Sequence, residues 1–189
     1  FAILSYLYFP QYDFPELRAA LSSAMTQGDP RELLKLLDQR ISREPEGRYT
    51  DNSSDAFYAV SCLDLPVTQS VDQVREFAER LAISAPTFGK SLGWGVLACK
   101  DWPYSAQTVI TITPNTSAPV MLVTAENDPA TPAKWATDVA VKLGNAELVI
   151  WEGGYNHTAY LEGSDCVTDR VDAYLLEGII SPGTTTTCN

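Results

Sequence analysis

Two short apolar runs near the end of the chain most constrain what it can fold into. Residues 118–125 read Ala-Pro-Val-Met-Leu-Val-Thr-Ala, and residues 147–151 read Glu-Leu-Val-Ile-Trp. A near-continuous apolar, β-branched run is the pattern of a strand covered on both faces, as in a parallel sheet flanked by helices. Parallel neighbours need a long crossover between them, and residues 132–143 supply one as a helix, with Gly144 as its stop. Each run leads into a loop with one chemically capable side chain. The first loop carries Asp128; the second, Glu152-Gly153-Gly154-Tyr155-Asn156-His157, carries the only histidine.

Strand, acid, helix, strand, histidine is the closing half of the order nucleophile, acid, base found in α/β-hydrolase triads. Asp128 is the candidate acid, which fixes the tautomer of the base and stabilises the imidazolium. His157 is the candidate base. Both fall at the carboxyl ends of parallel strands, where open α/β sheets bind ligands. The competing reading is structural, with Asp128 capping the following helix and His157 a surface loop residue.

The first hundred residues have a different character. Helices are expected over 14–25, 31–41, 55–63 and 71–83, with a short one over 91–99. Gly28-Asp29-Pro30 opens the second, whose leucines 33, 34, 36 and 37 make an apolar face. Ser70 and Gln73 form a capping-box pattern ahead of the fourth. From residue 108 the chain turns β-branched, and residues 166–177 read as a last helix ended by Gly178. Two strands alone cannot make a stable sheet, so the chain is expected to be the C-terminal part of a larger α/β fold, a helical cap followed by the last strands.

Charge and cysteines narrow the partners. Thirteen basic against 24 acidic residues give a net charge of −11, which argues against nucleic acid or an anionic membrane surface. No apolar run approaches the roughly 20 residues that span a bilayer. The start at Phe1, without Met or the basic flank of a signal peptide, suggests that something precedes it. Cys62, Cys99, Cys166 and Cys188 show no CxxC spacing, and one histidine makes a poor zinc site, so disulfides are expected and no metal or cofactor. Three connectivities are open. Asn52, Asn115 and Asn156 each begin a glycosylation sequon.

The nucleophile is harder to place. Gly89-Lys90-Ser91-Leu92-Gly93 matches GxSxG and precedes the acid and base in the right order. A nucleophile elbow needs a buried strand running into it, whereas Pro86 and the helix over 71–83 precede Ser91. Too little chain separates Ser91 from residue 118 for the expected intervening elements. Nor is Gly-Lys-Ser a phosphate loop, since Ser84 stands where the first glycine is required. Asp101-Trp102-Pro103-Tyr104 either lines a pocket or packs beside a disulfide. Glu44, Glu46, Asp51 and Asp55 form an acidic cluster, read as a solvated loop before an amine site.

Several of these segments together resemble the secreted tripeptidyl aminopeptidase-like α/β hydrolases. The resemblance is carried by Pro119-Val120-Met121-Leu122-Val123 with Glu126-Asn127-Asp128-Pro129-Ala130-Thr131-Pro132. It extends to Phe88-Gly89, Cys99-Lys100-Asp101-Trp102-Pro103, Ala59-Val60-Ser61-Cys62-Leu63-Asp64, and the closing stretch from Cys166 through Tyr174-Leu175-Leu176-Glu177-Gly178 to Cys188. It implies a serine exopeptidase that releases short peptides from free N-termini under a helical cap, with Asp128 as acid and His157 as base. It also implies disulfides Cys62–Cys99 and Cys166–Cys188, and a nucleophilic serine upstream of the cap, before Phe1.

The expectations are then a cap over residues 1–107 and a C-terminal α/β-hydrolase segment over 108–189. The protein would be a secreted serine hydrolase, inactive as this chain alone and completed by an N-terminal polypeptide that carries the nucleophile. Its substrate is a peptide or, on the same scaffold, a small ester; a noncatalytic binding protein with this scaffold is the rival from another class.

Overall fold

A computed structural model describes residues 1–104 and 118–189. The sequon at Asn115 and the whole of the β-branched stretch over 108–117 lie outside the described residues. The chain forms two compact units, one made by Phe1–Arg40 together with the C-terminal segment and the other by the residues between. Packing therefore groups the first forty residues with the strands, a division that does not follow chain order.

The strand-bearing unit holds β1 (Val120–Ala125), β2 (Ala146–Trp151) and β3 (Thr185–Cys188) in the order β1-β2-β3, all parallel. Val120 lies opposite Ala146 and Ala125 opposite Trp151, so the two loops that follow start side by side. Helix α7 (Ala133–Leu143) connects β1 to β2, and α8 (Asp165–Glu177) connects β2 to β3. The third strand departs from the two expected. Its Thr-Thr-Thr-Cys sequence reads as a low-complexity tail, but β-branched threonines suit a half-exposed strand, and the Cys166–Cys188 disulfide fastens it to the first turn of α8. On its other edge β1 has no strand partner among the described residues.

The core under the sheet consists of Val149, Ala159, Val167, Val171 and Cys188, with Met121, Val123 and Trp151 packed against it. The same unit holds a charged pair with a buried carboxylate. Glu147 is fully buried, and its carboxylate accepts from Arg170 Nε at 2.7 Å and Nη2 at 2.8 Å, from the Ser181 amide at 2.7 Å and from the Thr186 hydroxyl at 2.9 Å. Burial pushes the Glu147 carboxyl up, but these donors outweigh it and hold the group below the usual carboxylate range.

The first forty residues form α1 (Ala2–Ser5), α2 (Pro10–Gln27) and α3 (Arg31–Arg40). Helix α2 starts earlier than residue 14, because Pro10 occupies its first turn, where a missing N–H costs nothing; Pro15 is accommodated inside. Tyr6, Leu17, Ala20 and Leu36 form a second core with Leu7, Phe14 and Leu33 around it. Leu34 is 57% exposed, so the apolar face of α3 is narrower than its four leucines suggest.

The other unit contains α4 (Ser53–Asp64), α5 (Val71–Ser84), α6 (Gly89–Gly95) and a 3₁₀ turn, Val96–Cys99. The expected capping box is present at Ser70 and Gln73. Cys62–Cys99 joins α4 to the 3₁₀ turn, completing the pairing implied by the family resemblance. The acidic cluster is part of loop architecture, as Glu44 pairs with Arg48 and Asp51 accepts from the Ser53 amide and hydroxyl.

Candidate active site

Asp128 and His157 come together at the carboxyl ends of β1 and β2. His157 Nδ1 lies 3.1 Å from Asp128 Oδ1 and 3.2 Å from Oδ2. The same carboxylate accepts the amides of Ala130 at 2.8 Å and Thr131 at 2.9 Å, and the Thr131 hydroxyl at 2.9 Å. Asp128 therefore orders the turn ahead of α7 and faces the imidazole at once, while the helix itself begins after Pro132 with no side-chain cap. Burial raises its carboxyl, but the Thr131 and Ala130 amides, His157 and the Thr131 hydroxyl outweigh it, so the group sits below its ordinary value and is ionised at neutral pH.

Three hydrogen bonds stitch the two loops together. The Glu126 amide donates to Trp151 O at 3.0 Å, the Asn127 amide to Gly154 O at 2.8 Å, and the Gly153 amide to Glu126 Oε2 at 2.8 Å. The His157 loop must also turn tightly over Trp151. A Cβ at Gly154 would stand 2.4 Å from Trp151 Cδ2, so only glycine fits there.

His157 is held from a third side by a residue that belongs to no sequence motif. Its amide donates to Tyr8 O at 2.9 Å, and the Tyr8 ring meets the imidazole edge-on, with centroids 4.6 Å apart. Beyond His157, Glu162 accepts from Asn156 Nδ2 at 3.1 Å and from Gln11 Nε2 at 2.8 Å, which ties the His157 loop to α2. No motif marks Tyr8 or Glu162; the aromatic density of Tyr6-Leu7-Tyr8-Phe9 was the only signal. Asn156 is 1% exposed, so its sequon is closed in the folded chain, while Asn52 is exposed.

With Nδ1 against a carboxylate, the tautomer protonated at Nδ1 is favoured and Nε2 is left as the acceptor. Nε2 has no hydrogen-bond partner among the described residues, and the His157 side chain is 30% exposed. The pair can thus take a proton at one atom and stabilise the resulting cation.

Ser91 has no such setting. It lies inside α6 in the other unit, preceded by α5 and a turn rather than a strand. The two glycines of its motif are explained by packing. A Cβ on Gly93 would stand 2.6 Å from Ala78 Cα, and one on Gly89 2.2 Å from Leu81 O. At that spacing they let α6 approach the α5 backbone, as small residues one turn apart do. Asp101 to Tyr104 follow the disulfide at Cys99 as a turn, with Asp101 paired to Lys100. A cleft of that unit, about 680 Å³, is lined by Asp64, Gln73, Phe77 and Arg80 among others, and neither serine nor histidine lines it. Among the described residues, no group of three or more His, Cys, Asp or Glu could hold a metal, and no helix is long and apolar enough to cross a membrane.

Parallel strands joined by helices, with acid and histidine loops meeting at the carboxyl edge, define the C-terminal portion of an α/β hydrolase. The family described as TAP-like protein matches residues 85–188, more than half of the chain, and the chain belongs to that family. Carboxylesterase B of Mycobacterium tuberculosis is 34% identical over 184 residues, covering 93% of this chain and 34% of the relative. Serine protease Hip1 of the same organism is 34% identical over 155 residues, covering 79% and 29%. Tripeptidyl aminopeptidase of Streptomyces lividans is 26% identical over 161 residues, covering 85% and 30%. The chain spans about a third of the length of these relatives, all named as hydrolases or peptidases.

Proposed function

We propose that this chain is the C-terminal part of an extracellular serine hydrolase in which Asp128 is the acid and His157 the base of a catalytic triad. The approach of His157 Nδ1 to both Asp128 oxygens, at 3.1 and 3.2 Å, carries the reading. The nucleophilic serine belongs to an N-terminal polypeptide of the same hydrolase. In the reaction, its hydroxyl attacks the substrate carbonyl as its proton passes to His157 Nε2, and Asp128 stabilises the imidazolium. His157 then gives the proton to the leaving amine or alcohol, and a water activated by the same nitrogen releases the acyl group.

The substrate is a short peptide with a free N-terminus, the reading supported by the likeness to tripeptidyl aminopeptidase. Ester hydrolysis is the second reading, favoured by the higher identity and coverage of the carboxylesterase. Two disulfides support an oxidising, extracellular setting. Any glycan on the described residues falls on Asn52, because Asn156 is buried.

The test assays the full-length protein on a tripeptide anilide, its N-acetylated counterpart and a small aryl ester, with His157→Ala in parallel. Turnover of the free peptide, lost on acetylation and in the variant, is the expected result. Ester turnover alone would establish the second reading. Turnover unchanged in His157→Ala would remove this histidine from the mechanism.

A further inference from the structure

The segment that holds His157 through Tyr8 also builds a cleft beside it. Leu7, Pro10 and Phe14 line one wall; Asn127, Pro129 and Tyr155 line the other. The second wall consists of the two neighbours of Asp128 and the residue two before His157, so it cannot lie far from the reacting atoms. Its walls are fixed independently, by the His157 amide on Tyr8 O at 2.9 Å, the Asn127 amide on Gly154 O at 2.8 Å, and Gln11 on Glu162 at 2.8 Å.

Size and lining say what fits. The cleft measures about 230 Å³, below the roughly 300–1,000 Å³ of sites that enclose a whole small ligand, and suits one side chain. Leucine, proline, phenylalanine and tyrosine make most of its surface, with no charged residue among the six. We infer that this cleft is a specificity subsite that takes one large apolar side chain flanking the scissile bond. The inference rests on the hydrolase reading above and adds the substrate class to it: peptides or esters with a leucine- or phenylalanine-sized group next to the cleaved bond.

Tyr155 is the residue to change, because at 51% exposure it forms a wall without carrying the core. In the full-length protein, kcat/KM is measured on paired anilides or esters bearing alanine or leucine on each side of the scissile bond in turn. At one of these positions the wild type should prefer leucine, and Tyr155→Ala should cut that preference by about tenfold, the scale on which an apolar pocket discriminates. Tyr155→Phe keeps the wall and should keep the ratio. Turnover with ratios unchanged in Tyr155→Ala at both positions overturns the subsite while the hydrolase reading stands. Unchanged ratios with a Tm several degrees lower would mean that the protein's own chain fills the cleft, which also overturns it. No turnover of any substrate by the wild type would overturn the hydrolase reading, and the subsite with it.

Discussion

Two carboxylates at opposite ends of the same strand pair are bound in contrasting ways. Glu147, near the start of β2, is sealed from solvent and takes both arms of Arg170, an amide and a hydroxyl. Asp128, beyond the end of β1, takes two amides and a hydroxyl and then passes its remaining reach to His157, which stays 30% exposed. Both carboxylates are satisfied. The difference lies in the partner. Arg170 has no proton to exchange near neutral pH, so the first network can only hold β2, α8 and the approach to β3 together. His157 has a second nitrogen facing away from its carboxylate, so the second network ends in an atom that can act.

That contrast predicts a clean split between rate and stability. In the full-length protein, His157→Ala should lower kcat by on the order of 10⁶ and Asp128→Asn by on the order of 10⁴, with little change in the melting temperature of the His157→Ala protein. Steady-state kinetics with calorimetry on the same samples would check this. A His157→Ala protein with a lowered melting temperature but unchanged turnover per folded molecule would reverse the assignment. Glu147→Ala should do the opposite, costing about 3–5 kcal/mol of stability by stranding Arg170, with turnover per folded molecule retained. Replacing both partners, Glu147→Leu with Arg170→Met, should be less damaging than either single change in denaturant unfolding. If the double variant were as unstable as the single ones, packing rather than charge would explain Glu147.

The sequence made the Asp128–His157 pair more legible than the Glu147–Arg170 pair. Asp128 and His157 stood out because each followed an apolar run and chain order suggested their roles. Glu147 looked like an ordinary first residue of a strand, since its partners, Arg170, Ser181 and Thr186, converge only once α8 and β3 have folded over β2. Strand β3 is not legible in the sequence because its three threonines resemble a low-complexity tail, and only pairing with β2 distinguishes them from one. Tyr8 was out of reach for a related reason: a backbone carbonyl acting as an acceptor leaves no side-chain signature. In α6 the motif pointed the wrong way, as glycine spacing alone cannot distinguish a tight catalytic turn from two helices in contact.

The α6 motif extends the comparison to the other unit. Gly93→Ala should cost about 1–3 kcal/mol through overpacking against Ala78, whereas Ser91→Ala should change neither stability nor turnover by a measurable amount. Chemical denaturation of the two variants side by side would show the difference. A large loss of turnover in Ser91→Ala, with the melting transition intact, would return that serine to the mechanism.

The smallest expected effect is a pH dependence, and it discriminates most finely between the two carboxylates. Burial raises each group, and hydrogen bonds outweigh that rise, so both folded carboxyls lie below their ordinary values. The stability each contributes is fully present above the unfolded values, about 3.9 for Asp and 4.3 for Glu, and is lost as pH falls through the lower folded values. The stability gap between wild type and Glu147→Gln should therefore be constant from pH 7 to about 5 and narrow below about 4, when the wild-type carboxyl takes up a proton too. Asp128→Asn should show the same sign. The gap should close further for Glu147, because protonation there leaves Arg170 without its counter-charge in a site only 24% exposed, whereas the Asp128 turn keeps the Ala130 and Thr131 amides near an acceptor oxygen in either form. Equal narrowing in the two variants would mean that the closed network is no more dependent on its charge than the open one.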